Sequence, residues 1–192
     1  MGRWEPDARG RLARAALELY SERGFEQTTV AEIARRAGLT ERTFFRHYAD
    51  KREVLFDGSG LRDLLVGAVA DAPRTAAPID ALAVGLDAVS GMFADRWAYA
   101  RTRQAVIMAN AELQERELMK LASLSAALAE TLRDRGVAEP AASLTAEAGI
   151  AVFKVGFERW VSEPEERGMS QVMRGLLDEL RTLTAGGSGT KQ

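Results

Sequence analysis

Side chains able to do covalent or acid–base chemistry are scarce in this chain. It has no cysteine and one histidine, His47. That excludes disulfides, zinc ribbons, thiolate nucleophiles and iron–sulfur clusters. It also excludes a multi-histidine metal centre, so neither a metal nor a cofactor is expected. A hydrolase needs a nucleophile, a base and an orienting group within reach. The sole base of ordinary pKa near neutrality is His47, and its neighbours suit another task. The chain is therefore not expected to be an enzyme.

That other task lies between Val30 and His47. Ala34 stands four residues before Gly38, and Phe44 six after it. This is helix-turn-helix spacing. A small side chain at 34 lets a second helix approach, Gly38 takes the turn, and Ile33 with Phe44 fills the core between the helices. The second helix of such a unit enters the DNA major groove. Phe44 and Tyr48 share one helical stripe, buried with Ile33, Leu39 and Leu19. Glu41, Arg42, Thr43, Phe45, Arg46 and His47 are left outward. Arg42 suits a bidentate pair to guanine O6 and N7. Thr43 suits a thymine methyl or a phosphate, and Phe45 a sugar or a thymine methyl. The expected base contacts are thus Arg42, Thr43 and Phe45. Thr29, Arg46, His47 and Lys51 are expected on phosphates, which orient a protein without reading sequence.

The elements that must hold these residues read as helices almost throughout. Of 192 residues, 46% are hydrophobic, and helix formers dominate without alternating strand-like runs. The length suits one domain or two small ones. Helices are expected over 7–23, 30–37 and 41–48. Gly24 and Gly38 stop the first two, Thr29 with Glu32 forms a capping box, and Thr40 caps the third. Asp50 and Glu53 signal a fourth helix from Lys51 to Ala70, kinked or broken at Gly58-Ser59-Gly60. A linker with Pro73 and Pro78 follows. Further helices are expected near 79–95, 97–111, 113–135, 141–162 and 169–185. The last seven residues, 186–192, read as a flexible tail. Charge is divided along the chain: residues 1–52 carry net +3 and residues 53–192 net −5. A basic N-terminal module on an acidic body is a nucleic-acid-binding layout. No run is long enough for a membrane helix and no secretory signal opens the chain, so a cytoplasmic location and no membrane partner are expected.

Residues 11–56 closely resemble the DNA-binding domain of the tetracycline-repressor (TetR) family of bacterial regulators. The matching stretches include Ala15-Ala16-Leu17-Glu18-Leu19-Tyr20, Arg23-Gly24-Phe25, Thr28-Thr29-Val30, Ala37-Gly38-Leu39-Thr40, Thr43-Phe44-Phe45-Arg46-His47-Tyr48 and Lys51-Arg52-Glu53-Val54-Leu55-Phe56. The resemblance implies an all-α fold. A three-helix DNA-binding domain (1–52) would precede a helical effector-binding and dimerisation domain (53–185). It further implies a homodimer on a palindromic operator in double-stranded DNA, usually repressing, and released by a small effector.

The C-terminal part adds its own reading. In the 141–162 helix, Ile150, Phe153, Phe157 and Trp160 form one stripe, while Leu144, Ala148, Val152, Val155 and Gly156 line another side. A helix apolar all round must be covered all round, so this helix and the last one are expected to form a four-helix dimer interface. Met92, Phe93, Trp97, Met108, Met119, Phe153, Phe157 and Trp160, with the polar Arg101 and Asn110, are the expected effector pocket. Their softness and apolarity favour a sizeable hydrophobic ligand. Acyl thioesters and amphipathic drugs remain equal alternatives. The helix from Lys51 to Ala70 is expected to swing when the ligand enters. A ligand-carrying or partner-binding module, with the N-terminal domain a relic, is the rival reading.

Overall fold

The computed structural model describes residues 7–56, 60–163 and 167–185, all in helices and their connections. The order is α1 (Ala8–Arg23), α2 (Val30–Arg36), α3 (Glu41–His47), a 3-10 turn (Glu53–Phe56), α4 (Leu61–Asp71), α5 (Pro78–Gly91), α6 (Trp97–Met108), α7 (Ala111–Asp134), α8 (Ala141–Ser162) and α9 (Met169–Ala185). Among the described residues, no helix is long and apolar enough to cross a membrane. The expected tail lies outside the described residues, as do Gly58, Ser59 and residues 164–166.

Local chemistry explains the second and third helices. The Glu32 amide donates to Thr29 Oγ1 at 3.3 Å, and the Thr29 amide donates to the Glu32 carboxylate at 3.0 Å. This reciprocal box satisfies two amides that a helix start leaves orphaned. Thr40 Oγ1 accepts from the Thr43 amide at 3.2 Å and opens α3 in the same way. Gly38 sits between α2 and α3 with φ +67°, a left-handed conformation that a Cβ disfavours.

The fourth helix differs from expectation. Asp50 Oδ1 accepts from the amides of Arg52 at 2.8 Å and Glu53 at 3.3 Å, so the cap is present. What it starts is only the short 3-10 turn, and the α-helix begins at Leu61. The stretch from Lys51 to Phe56 is therefore not α-helical, while the helix expected beyond the glycines runs from Leu61 to Asp71. Lys51 is tied into the N-terminal helices through both its ammonium and its carbonyl, which holds this stretch in a turn.

The chain divides into two compact units. One joins residues 7–56 to Arg101–Lys120. The other contains residues 60–100, 121–163 and 167–185. Residues 101–120, the end of α6 and the start of α7, thus group with the N-terminal helices by contact. The sequence holds no local mark of this, because the grouping rests on side chains far apart in the chain.

In the second unit the core is built from Leu65, Val69, Leu82, Leu86, Leu128, Leu132, Phe153, Trp160, Met173 and Leu177, all buried. Pro78 takes the first position of α5, where its missing N–H costs nothing. The Arg135 guanidinium donates to the carbonyls of Ala70, Ala72 and Pro73 at 3.0, 2.7 and 2.8 Å. It covers acceptors that the end of α4 leaves open. Gly149 faces Leu82, and Gly156 faces Met173. These small residues serve packing inside the chain. At Gly85, an added Cβ would stand 2.6 Å from Val69 Cγ2 and 3.2 Å from the Leu65 carbonyl. Because a β-branched side chain and a backbone oxygen yield little, Gly85→Leu is expected to cost about 3 kcal/mol. The check is a lowered midpoint in thermal unfolding followed by circular dichroism.

Candidate nucleic-acid interface

The N-terminal unit closes on a small apolar core. Leu12, Ala16, Leu19, Tyr20, Phe25, Ile33, Ala34, Phe44 and Tyr48 are all buried. Phe44 meets Tyr48 with ring centroids 5.6 Å apart, and Tyr20 meets Phe25 at 5.2 Å. The expected stripe is therefore in place, with Leu39 only partly covered. Burial of Phe44 on one side of α3 turns its neighbours outward. Arg42, Phe45 and Arg46 are exposed, and Thr43 and His47 are half-buried. Phe45 is 56% exposed, an aromatic ring open to solvent. Its own edge-on contact with Phe44, at 5.4 Å, steadies it.

The cations of this unit fall into two groups. Arg36 pairs with Glu22 at 3.0 Å and Glu18 at 3.2 Å, Arg23 with Glu32 at 2.9 Å, and Arg52 with Asp50 at 2.7 Å. Arg11 donates to the carbonyls of Ala37 and Gly38. These guanidinium groups staple helices and turns. Arg42 is in the second group, with no ion-pair partner among the described residues. Arg46 reaches the His47 ring, at 3.5 Å. Thr29 is exposed at the start of α2, although its hydroxyl also meets Glu32 at 2.9 Å. The Thr43 hydroxyl meets that of Thr40 at 3.1 Å.

Lys51 stands apart from the other expected phosphate contacts. Its ammonium donates to the carbonyls of Phe25 at 2.8 Å, Thr28 at 3.1 Å and Glu26 at 3.3 Å. It also lies over the Phe25 ring, 4.3 Å from the centroid. An ammonium has three N–H donors, and here all three are engaged inside the protein. The Lys51 carbonyl accepts from the Tyr20 hydroxyl at 2.7 Å. Burial first, and the nearby Asp50 charge second, push the Tyr20 phenol far above its usual range. The geometry gives Lys51 an internal role, holding the connection between α1 and α2. Sequence spacing could not have shown this, because the three carbonyls lie more than twenty residues away.

Two carboxylates hold their charge firmly. The Thr29 amide, then its hydroxyl, keeps Glu32 below the usual carboxylate range. The Arg52 guanidinium does the same for Asp50. A carboxylate with a depressed folded pKa adds stability above its unfolded value, and this is lost as pH falls through the folded one. The caps are therefore intact at neutral pH and weaken only in acid.

The expected effector residues divide between the two units. Phe93, Phe157 and Trp160 form a ring cluster, with centroids 5.6 to 5.9 Å apart, and Phe153 adjoins Phe157 at 6.0 Å. The Trp97 indole N–H donates to the Trp160 carbonyl at 3.0 Å. Met92 is partly buried in the same unit. Arg101, Met108, Asn110 and Met119 belong to the other unit. There, Asn110 donates to the Val106 carbonyl at 2.7 Å, while Met108 and Met119 are exposed by more than half. The structure therefore brings the expected aromatic residues together in the packed core of the second unit.

A helix-turn-helix with outward arginine and aromatic groups, followed by a separate helical body, defines a DNA-binding regulator. The comparisons with known proteins agree with that class. A family profile described as "Bacterial regulatory proteins, tetR family" matches residues 12–57, and one described as "MftR C-terminal domain" matches residues 76–185. The chain belongs to the TetR family of transcriptional regulators, which are not enzymes. It is 39% identical over 88 residues to the transcriptional regulator TcmR of Streptomyces glaucescens. That match covers 45% of this chain and 39% of TcmR, so it spans about two fifths of that relative. Thermus thermophilus FadR, a repressor solved with lauroyl-CoA, matches with a TM-score of 0.57 at 25% identity, over 96% of this chain and 97% of that one. SmeT, the repressor of a Stenotrophomonas maltophilia multidrug efflux pump, matches with a TM-score of 0.61 at 21% identity, over 92% and 89%. This second likeness is one of fold.

The internal role of Lys51 can be separated from a phosphate contact. Removing one phosphate contact from a complex with duplex DNA reduces the slope of log K against log[salt] by about 0.9. For Lys51→Met the expected outcome is an unchanged slope with a lower thermal midpoint, measured by anisotropy titrations at several salt concentrations and by thermal melts.

Proposed function

We propose that this chain is a ligand-responsive repressor that binds a palindromic operator as a homodimer. The observation that carries the reading is the outward face of α3, where the exposed Arg42 and Phe45 stand over a buried Phe44. In this reading Arg42, Thr43 and Phe45 meet base edges, and Thr29, Arg46 and His47 meet phosphates.

The homodimer reading is supported by α8. Leu144, Ala148, Ala151 and Val155 recur along one side of it, and Leu144 and Val155 are 66% and 51% exposed. Its opposite side is buried through Ile150, Phe153, Phe157 and Trp160. A second copy covering the outer stripe, with α9 beside it, would supply the two-fold axis that a palindrome requires. Sedimentation at micromolar protein is expected to give twice the 20.9 kDa chain mass.

The effector is proposed to be sizeable and hydrophobic, held at the Phe93–Phe157–Trp160 cluster. The lauroyl-CoA found on Thermus thermophilus FadR makes acyl thioesters the first class to test. Such a ligand would release DNA by binding the released conformation more tightly, typically with a coupling of about 1–3 kcal/mol. The first experiment is selection of fragmented genomic DNA by the purified protein at about 150 mM salt, where non-specific binding is weak. Enrichment of a palindrome is expected, and no enriched sequence at any salt would overturn the reading. Arg42→Ala is then expected to cost about 1–3 kcal/mol and to relax preference at one base position of each half-site.

A further inference from the structure

Carboxylates, guanidinium groups and ammonium groups ordinarily keep their charges between about pH 6 and 8, and imidazole does not. The chain has one histidine and no cysteine. Among its side chains, a proton-linked event near neutrality therefore has a single candidate, His47.

His47 stands in the last turn of α3, between Arg46 and the buried Tyr48, and is itself half-buried. Arg46 Nη2 lies 3.5 Å from its Nε2. A guanidinium carries donors only, so this contact requires Nε2 to be the bare, accepting nitrogen of a neutral ring. A protonated ring presents an N–H there instead, and two like charges face each other. Neutral His47 thus holds Arg46 along α3. Protonated His47 releases it and adds a charge of its own.

The ring also lines a cleft of about 570 Å³ within the N-terminal unit. The charged groups of that cleft are Arg9 from α1, Asp50, Arg52 and Glu53 from the segment after α3, and Glu112, Glu115, Arg116 and Lys120 from α7. Several are already matched. Asp50 pairs with Arg52 at 2.7 Å, and Glu53 takes both Arg116 and Lys120, the latter at 3.3 Å. Glu112 stands 3.9 Å from Arg52. Besides His47, the wall holds four cations and four carboxylates, so it sets no strong field of one sign. A phosphate brought against α3 is then the charge that tips the ring.

We propose that His47 is a proton-binding site that couples DNA affinity to pH: protonation frees Arg46 and gives the end of α3 two cations for phosphate. This rests on the reading that Arg46 and His47 meet phosphates. The sign follows from linkage. A phosphate beside the ring stabilises its charged form, so the DNA-bound protein holds this proton to higher pH than the free protein. Affinity therefore rises as pH falls through the interval between the two midpoints. Phosphate contacts carry no base information, so the preferred sequence stays the same.

The test uses the full-length protein and the DNA fragment enriched by selection, in anisotropy titrations at about pH 6, 7 and 8 and fixed ionic strength. Glu32 and Asp50, both held below the usual carboxylate range, keep their caps over this interval. Expected is about 10-fold tighter binding at the lowest pH than at the highest. The slope of log K against log[salt] is expected to steepen by about 0.9 for each chain bound. His47→Gln keeps an acceptor beside Arg46 but takes no proton, and is expected to bind equally at all three pH values. Arg46→Gln is expected to bind more weakly throughout while keeping the part of the pH dependence that belongs to the imidazolium. One histidine gives one Cε1–H resonance, so NMR reads its titration midpoint directly in the unsubstituted protein, and this is expected to lie higher with DNA than without. Equal midpoints overturn the inference even if His47→Gln does not fold. So does a pH dependence that survives unchanged in His47→Gln, or a DNA affinity of the unsubstituted protein that does not vary with pH. A protein that binds no duplex at any pH overturns the reading of α3 as a DNA-binding face, and the inference with it.

Discussion

The DNA-reading head depends on one ammonium group. Lys51 draws three carbonyls of the connection between α1 and α2 onto a single charge, and its own carbonyl receives the Tyr20 hydroxyl. Backbone acceptors in a tight connection are costly to leave unpaired when water is excluded. One flexible side chain satisfies three of them. It thereby fixes where the connection ends and where Thr29 can begin α2. The position of α2 in turn decides where Gly38 makes its turn and how α3 is aimed.

Electrostatics in the head follows from this economy of groups. Most of its arginines named above are paired with carboxylates or carbonyls and act as staples between helices. Net charge alone therefore overstates what is available to DNA. On the outward side of α3, Arg42 is exposed and has no ion-pair partner among the described residues. A bidentate base contact needs such an available, planar fork. The exposed Phe45 beside it leaves a large aromatic ring open to solvent, the kind of group that carries much contact area where proteins meet other molecules.

The helical body follows different rules. Its core is apolar and continuous from α4 through α9, and small residues bring helices close where bulk would hold them apart. Gly85, Gly149 and Gly156 each face a neighbouring side chain of the same chain. The outer stripe of α8 leaves Leu144 and Val155 uncovered. The aromatic cluster around Phe157 and Trp160 gathers rings from α5's C-terminal connection and from α8, held by the Trp97 indole bond.

The sequence by itself determined the helices, their caps and the helix-turn-helix face. Those depend on neighbours within one or two turns, as Thr29 with Glu32, Thr40 with Thr43, and Phe44 with Tyr48 show. The family was legible for the same reason, since its motifs are local. Only the tertiary structure decided the internal bonds of Lys51, the short 3-10 turn that precedes α4, and the grouping of residues 101–120 with the N-terminal helices. It also decided that Arg101, Met108, Asn110 and Met119 stand in a different unit from the aromatic cluster. Each of these outcomes is a competition for a partner between groups tens of residues apart. Periodicity records which side of a helix is apolar, but carries no information on which distant carbonyl or carboxylate a cation will find.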